Sequence, residues 1–257
     1  AEALKNKGAS VDGIPFRGYA QVIDELSTAG NADMEERLNF YESIYYGTIS
    51  GDIVIPDFVT SLSKTAFKEN RNITSIFIPD SITSLEEELF YNCKKLKTAT
   101  LPTNITDIPT YCFYYCTSLD SINLDNVITI GRSSFYNTTS LVSIYVPNLE
   151  SVGETAFYSC KIATLDLPKI KTIGKSAFAY ATSLETINIG NQIESIYDST
   201  TASHKSFRYC TKLTVINIDK PFGSLEVPSD HWGAENSTIY WNDGVQTPPN
   251  ESVSIVI

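Results

Sequence analysis

Residues 96–124, "LKTATLPTNITDIPTYCFYYCTSLDSINL", and residues 167–190, "LPKIKTIGKSAFAYATSLETINIG", place the same residue types in the same order. Both carry an alternating aliphatic pair, a proline, two further apolar positions and then a phenylalanine. With that phenylalanine as anchor the pattern recurs at Phe67, Phe90, Phe113, Phe135, Phe157, Phe178 and Phe207, with spacings of 23, 23, 22, 22, 21 and 29 residues. Six positions after most anchors stands a large aliphatic residue, as at Ile73, Leu96, Leu119, Leu141, Leu184 and Leu213. The consensus is L-x-x-I-x-I-P-x-x-I-x-x-I-x4-F-x-x-C-x-x.

The alternating pair has period two, so both aliphatics point to one side of a short strand and the residue between them to the other. Proline, lacking an amide donor, ends the strand. One unit of about 22 residues has some six inward apolar side chains and cannot hide them by itself, whereas stacked units can. The strands therefore lie parallel from coil to coil, roughly 4.8 Å apart.

These stretches resemble the BspA-type leucine-rich repeat, with its L-x-x-I-x-I-P, I-G-x-x-A-F and F-x-x-C-x-x-L signatures, over residues 51 to 219. The resemblance implies an α/β leucine-rich-repeat solenoid with parallel short strands. Helical N-terminal and β-containing C-terminal caps are expected to cover its apolar ends. The expected organisation is a cap over 1–50, seven repeats over 51–219 and a second cap over 220–257. In the first cap, Tyr19, Val22, Ile23 and Leu26 have helical spacing, as do Met34, Leu38, Tyr41 and Tyr45. Beyond Ile218, Ile239 with Trp241 and Val253 with Ile255 and Ile257 alternate as strands do. Three departures from the pattern are a shortened coil near Lys161 and Ile162, Asp125 at a proline position, and Ala181 at a cysteine position.

Composition excludes several functions. A net charge of −11 opposes binding to nucleic-acid phosphates or anionic lipid. No window approaches the roughly 20 apolar residues of a membrane span. Histidine occurs only at His204 and His231, outside any nucleophile or metal motif, and G-x-S-x-G, H-E-x-x-H and phosphate-loop patterns are missing. Glu86–Glu88 fits a solvated face. The reading is of a protein that is not an enzyme and has no cofactor. The chain begins at Ala1 rather than methionine, which a removed export signal or a trimmed boundary explains equally.

Cys93, Cys116, Cys160 and Cys210 share the slot three residues after the anchor, which Asn70 and Thr138 fill in other coils. Thiol, amide and hydroxyl can each hydrogen-bond a turn's backbone, so a buried turn ladder accounts for the slot. A disulfide or thiolate site between Cys93, Cys112 and Cys116 is the competing reading, and it lacks C-x-x-C spacing or a nearby histidine. Five N-x-[ST] sequons, at Asn72, Asn104, Asn137, Asn236 and Asn250, are near the number chance supplies in a chain of this composition.

Stacking turns equivalent positions into rows. The outward strand residues Phe77, Thr100, Asn123, Tyr145, Asp166 and Asn188, continued by Asn217, form a candidate ligand-binding face. A hydroxyl row from Ser75 to Thr186 lies beside it. A second candidate is the stripe Tyr91, Tyr114, Tyr136 and Tyr158, which directly follows the anchors and either shields the turn side or offers rings to a glycan. About seven extra residues between Phe178 and Phe207, around 197–206, read as an exposed loop. Proteins of the family it resembles are largely surface or secreted proteins of mucosal bacteria and some protists, with recurrent adhesive roles. The resemblance thus implies a secreted or cell-surface bacterial protein that uses its strand face for protein adhesion, and the chain is expected to be a monomer. A carbohydrate-binding module and a self-associating structural protein are the alternatives.

Overall fold

The computed structural model describes residues 32–197 and 204–249. A helix, α1, spans Ala32–Tyr45, and Tyr41 and Ile44 from it are buried against the first coil. Phe40, Tyr41 and Phe58 form an edge-to-face cluster there, with the Arg37 guanidinium 4.6 Å over the Phe58 ring. The helix expected around Tyr19 to Leu26 and the strand expected at Val253 to Ile257 lie outside the described residues, as does 198–203 within the insertion.

The alternating pairs form the first side of the solenoid. Strands β1 (Gly51–Val54), β2 (Ile73–Phe77), β3 (Thr98–Thr100) and β5 (Ser121–Ile122) pair in parallel. A second parallel group joins β8 (Thr164–Leu167), β10 (Thr186–Ile189), β12 (Val215–Ile218) and β13 (Thr238–Trp241), and β14 (Gln246–Thr247) folds back antiparallel on its edge. The two apolar positions before each anchor make another side, in which β4 (Asp107–Ile108), β6 (Thr129–Ile130), β7 (Ser151–Val152), β9 (Thr172–Ile173) and β11 (Ser195–Ile196) again pair in parallel.

The first side is interrupted where Tyr145 stands. Residues 141–146 form no strand, so β5 and β8 belong to separate sheets. The next coil is the shortened one, with Ile162 five rather than six positions after its anchor. Between the two coils here the Ala163 amide donates to the Val142 carbonyl at 3.3 Å. The shortened coil adjoins the break on one side only, and residues 141–146 pair with neither β5 nor β8. Tyr145 is thus placed on the same side as the other row residues but not on a strand.

The third side narrows the α/β expectation, because among the described residues no α-helix lies between 51 and 219. The anchors instead sit in turns whose backbone bonds run between coils. The Phe90, Phe113, Phe135, Phe157 and Phe178 amides donate to the carbonyls of Cys112, Ser134, Ala156, Ala177 and Ser206 at 2.8–2.9 Å. Two residues to either side of most anchors φ is positive, as at Tyr111, Tyr115, Ser133, Asn137, Thr155 and Ser159, with values of 51–59°. Left-handed residues cannot propagate a helix, and each costs roughly 1–2 kcal/mol in a non-glycine residue. Here they swing the amides outward to the next coil, and the bond formed offsets that cost.

The interior is a column of rings. The seven anchor phenylalanines are fully buried and stack from coil to coil with centroids 5.2–5.7 Å apart and planes within 15°. Beside them the glycines of the I-G motif let the backbones approach. A Cβ added at Gly153 would lie 2.8 Å from the Gly131 carbonyl carbon, and one at Gly174 would lie 2.8 Å from that of Gly153. Because the obstruction is backbone, it cannot move aside.

Two substitutions probe this column. Phe135→Ala should lower unfolding free energy by about 3–5 kcal/mol, as for other fully buried phenylalanines. Gly153→Ala should cost about 1–3 kcal/mol by overpacking although it adds one methyl group. Urea melts followed by circular dichroism measure both, and a Gly153→Ala melt that overlays the wild type would contradict the close approach.

Candidate functional site

The cysteine slot is resolved by its hydrogen bonds. The Cys93, Cys116 and Cys210 thiols donate to the carbonyls of Phe67, Phe90 and Phe178, the anchors of the preceding coils, each at 3.0 Å. Thr138 donates to the Phe135 carbonyl, and the Asn70 amide donates to Ile49 while accepting from the Asn72 and Ile73 amides. All five cysteines are buried and unbridged. Burial pushes the Cys93 and Cys160 thiols up to about 12 and raises Cys112, Cys116 and Cys210 as well. These are thiols held away from the thiolate that redox or metal chemistry requires. Among the described residues no three His, Cys, Asp or Glu side chains gather to hold a metal, and no helix is long and apolar enough to cross a membrane.

Of the two histidines, His231 has Nδ1 3.1 Å from the Ser237 hydroxyl, and that hydroxyl donates to the Ala234 carbonyl at 2.8 Å. His204 lends its carbonyl to the Ser176 amide in the turn ladder. His231 is buried, and its Nδ1 lies 2.9 Å from the Ser237 carbonyl oxygen, which places the ring proton on that nitrogen.

The tyrosine stripe is continuous. Tyr91, Tyr114, Tyr136 and Tyr158 stack at 4.8, 4.9 and 4.5 Å, and Tyr180 and Tyr209 extend the row at 5.0 and 4.7 Å. The Lys68 ammonium covers the Tyr91 ring at one end and the Arg208 guanidinium the Tyr209 ring at the other. Ring faces are thus turned to one another or to a cation, and edges and hydroxyls are what the stripe offers to solvent. Burial, reinforced by neighbouring phenols, raises Tyr114 and Tyr136 and pushes Tyr158 up to about 12.

The outward strand row divides in two. In its N-terminal half Val54 stands in register with Phe77, and Phe77 with Thr100. Below them Asp52 accepts hydroxyl bonds from Ser75 and Thr74 at 2.7 Å, which hold its carboxyl below the ordinary range. Val54, Phe77 and Tyr145 are 69%, 45% and 67% exposed. Asn123 has another task. Its side-chain amide accepts from the Leu101 amide at 2.7 Å and donates to the Leu101 carbonyl at 3.0 Å, standing in for a strand residue where the ladder ends. In the C-terminal half, Asp166, Asn188, Asn217 and Tyr240 are in register. Asn217 donates to Asn188 at 2.6 Å and Asn188 donates to Asp166, so the side chains form a chain running toward the carboxylate.

That half is also concave. A groove of about 510 Å³ lies over it, bounded by this row and by a neighbouring one that includes Pro168, Gly190, Asp219 and Asn242. The outward row brings Asp166 and Asn188 to the groove together, whereas Phe77, Thr100, Asn123 and Tyr145 lie outside it. Sequence reasoning missed Tyr240, Asp219 and Asn242. For Tyr240 a signal existed, because it stands between Ile239 and Trp241 as Asn217 stands between Ile216 and Ile218.

The sequence pattern of the "BspA type leucine rich repeat region" matches residues 39–149 and 125–227 in six copies, most of the chain. The chain belongs to the BspA-type leucine-rich-repeat family. No curated protein matches it. Among solved structures it is similar to a leucine-rich repeat protein from Bacteroides ovatus, with 25% identity, 62% of this chain and 46% of that one covered, and a TM-score of 0.49. It is also similar to the Treponema pallidum leucine-rich repeat protein, with 22% identity, coverages of 65% and 71% and a TM-score of 0.48. A third is a leucine-rich cell surface protein from Faecalibacterium prausnitzii, with 20% identity, coverages of 66% and 59% and a TM-score of 0.38. The chain spans less than half the length of the first of these. A BspA-type repeat scaffold suits binding or recognition.

Two solution measurements follow from the thiols and phenols. A thiol reagent at mildly alkaline pH should leave all five cysteines unmodified in the native protein and label them in denaturant; rapid native labelling would contradict their burial. For Tyr158 the folded value of about 12 exceeds the ordinary 10.0, so the unfolded chain loses its proton first as pH rises. Stability should therefore be unaffected by this group below pH 10.0 and fall between there and about 12. Tyr158→Phe should flatten that fall in melts recorded across the range.

Proposed function

We propose that this BspA-type chain is a non-catalytic recognition module, secreted or displayed on a bacterial cell surface, that adheres to a protein partner through the strand side of its solenoid. In this reading residues 51–219 are the recognition unit, and 1–50 and 220–257 are its capping ends. The single observation that supports it most is the exposure of Val54, Phe77 and Tyr145 along one rigid side of the molecule. Large apolar side chains held open to water are the usual anchors of protein interfaces when they sit amid small polar groups. Ser75, Thr98 and Ser121, in register beside them, supply such groups. Beneath Val54 and Phe77 the backbone is tied by parallel strand pairing, so little ordering is required on binding there, and more of the contact energy appears as affinity. The surface location rests on the family's character and on the acidic charge, which disfavours nucleic acid.

The test is adhesion of wild type and of a Phe77→Ala/Tyr145→Ala variant to a panel of immobilised extracellular-matrix proteins by surface plasmon resonance. At least one matrix protein should be bound, with affinity falling tenfold or more in the variant, as expected for loss of interface anchors. Undiminished binding by the variant, or no binding to any member of the panel, would overturn the assignment.

A further inference from the structure

We infer that the groove over the C-terminal half of the strand side is a saccharide-binding site, built from Asp166, Asn188, Asn217, Asp219 and Tyr240 around Gly190. It is distinct from the apolar anchors Phe77 and Tyr145, which lie outside the groove, and it does not depend on the protein-adhesion reading.

Size and shape come first. Small-molecule sites occupy roughly 300–1,000 Å³, and the groove, at about 510 Å³, falls within that range. Gly190 lines it beside Pro168, and an added Cβ there would meet the Pro168 carbonyl oxygen at 1.9 Å, so only glycine lets the two coils approach this closely under the groove. One wall is the Asp166 end and the other is Tyr240, set apart by two coils in register.

The polar inventory matches hydroxyl chemistry. Each of Asn188 and Asn217 has two amide N–H groups and uses one along the row. Asp166 accepts from Asn188 through one oxygen, and Asp219 accepts from Asn242 through one oxygen at 3.2 Å. The groove therefore retains amide donors and carboxylate acceptors side by side, at the roughly 4.8 Å spacing of the coils. A sugar hydroxyl both donates and accepts, and vicinal hydroxyls can bridge adjacent groups of opposite character. A lysine or arginine side chain from a partner would use only the acceptors and leave the amides unanswered. Where the donors and acceptors end, Tyr240 supplies a phenol that is 37% exposed. Its ring takes part in none of the stacked or edge-to-face pairs of the described residues, in contrast to the tyrosine stripe, so a face remains for the C–H side of a pyranose.

Saturation-transfer NMR and calorimetry with a panel of neutral mono- and disaccharides, including galactose, mannose, fucose and N-acetylglucosamine units, test the site. At least one sugar should bind, with affinity reduced tenfold or more in both Tyr240→Ala and the size-preserving Asp219→Asn, each checked for a native circular dichroism spectrum. The inference is overturned if no sugar binds, if a sugar binds equally well to both variants, or if an arginine-rich peptide occupies the groove while the sugars do not. Because Phe77→Ala/Tyr145→Ala reads protein adhesion at another place, a loss confined to adhesion or to sugar binding identifies which of the two readings has failed.

Discussion

The distance between successive coils governs the whole molecule. Parallel backbone ladders hold neighbouring coils roughly 4.8 Å apart, and flat rings stacked with a slight inclination fill that interval without leaving a void. The anchor phenylalanines do so with centroids 5.2–5.7 Å apart. A larger rise would open gaps along the column, and a smaller one would drive ring into ring. Every other regularity is tied to this repeat: glycine where backbones come closest, a small hydrogen-bonding side chain at the turn, and tyrosines that inherit the same stacking on the outer side.

Much of this was legible in the sequence because the inward positions obey simple chemistry. The Phe67-to-Phe207 series, the alternation Ile187-x-Ile189 and the Cys93, Cys116 and Cys210 slot each report one environment repeated many times, and repetition distinguishes signal from coincidence. The turns of the third side were not legible. Tyr115, Asn137 and Ser159 adopt positive φ because inter-coil bonds reward it, and nothing in the intrinsic preference of tyrosine or serine announces that. The α/β class expected for the chain placed helix only in its N-terminal cap and left this side unspecified, and here the backbone bonds go sideways to the next coil.

The outward positions were legible only in part, for a different physical reason. Alternation says that Tyr145 faces away from the core, and it does, but the pattern says nothing of whether a ladder forms beneath it. The backbone there pairs with neither β5 nor β8. Likewise Asn123 has the right parity for the binding row, yet its amide is consumed by the Leu101 backbone at the ladder's end. The composition of a row does not reveal which members are already partnered. Tyr240 shows the reverse case, a row member overlooked because the repeat's other marks had faded while its alternation persisted.

The break at residues 141–146 also accounts for why one side of a regular solenoid offers two kinds of surface. A continuous sheet keeps the twist of its strands uniform and spreads outward side chains evenly. Here the ladder ends, Asn123 closes it, and a fresh sheet begins at β8. Val54 and Phe77 thus belong to one sheet, and Asp166, Asn188, Asn217 and Tyr240 to the other, with Tyr145 standing on the coil between them. Because the core column of phenylalanines passes the break unperturbed, at 5.4 and 5.3 Å on its two sides, the interruption costs the interior nothing visible. Stability and display are therefore carried by different atoms of the same residues' neighbours: rings and backbone hold the rod, and the residues between the buried pairs are left to vary with what the surface must meet.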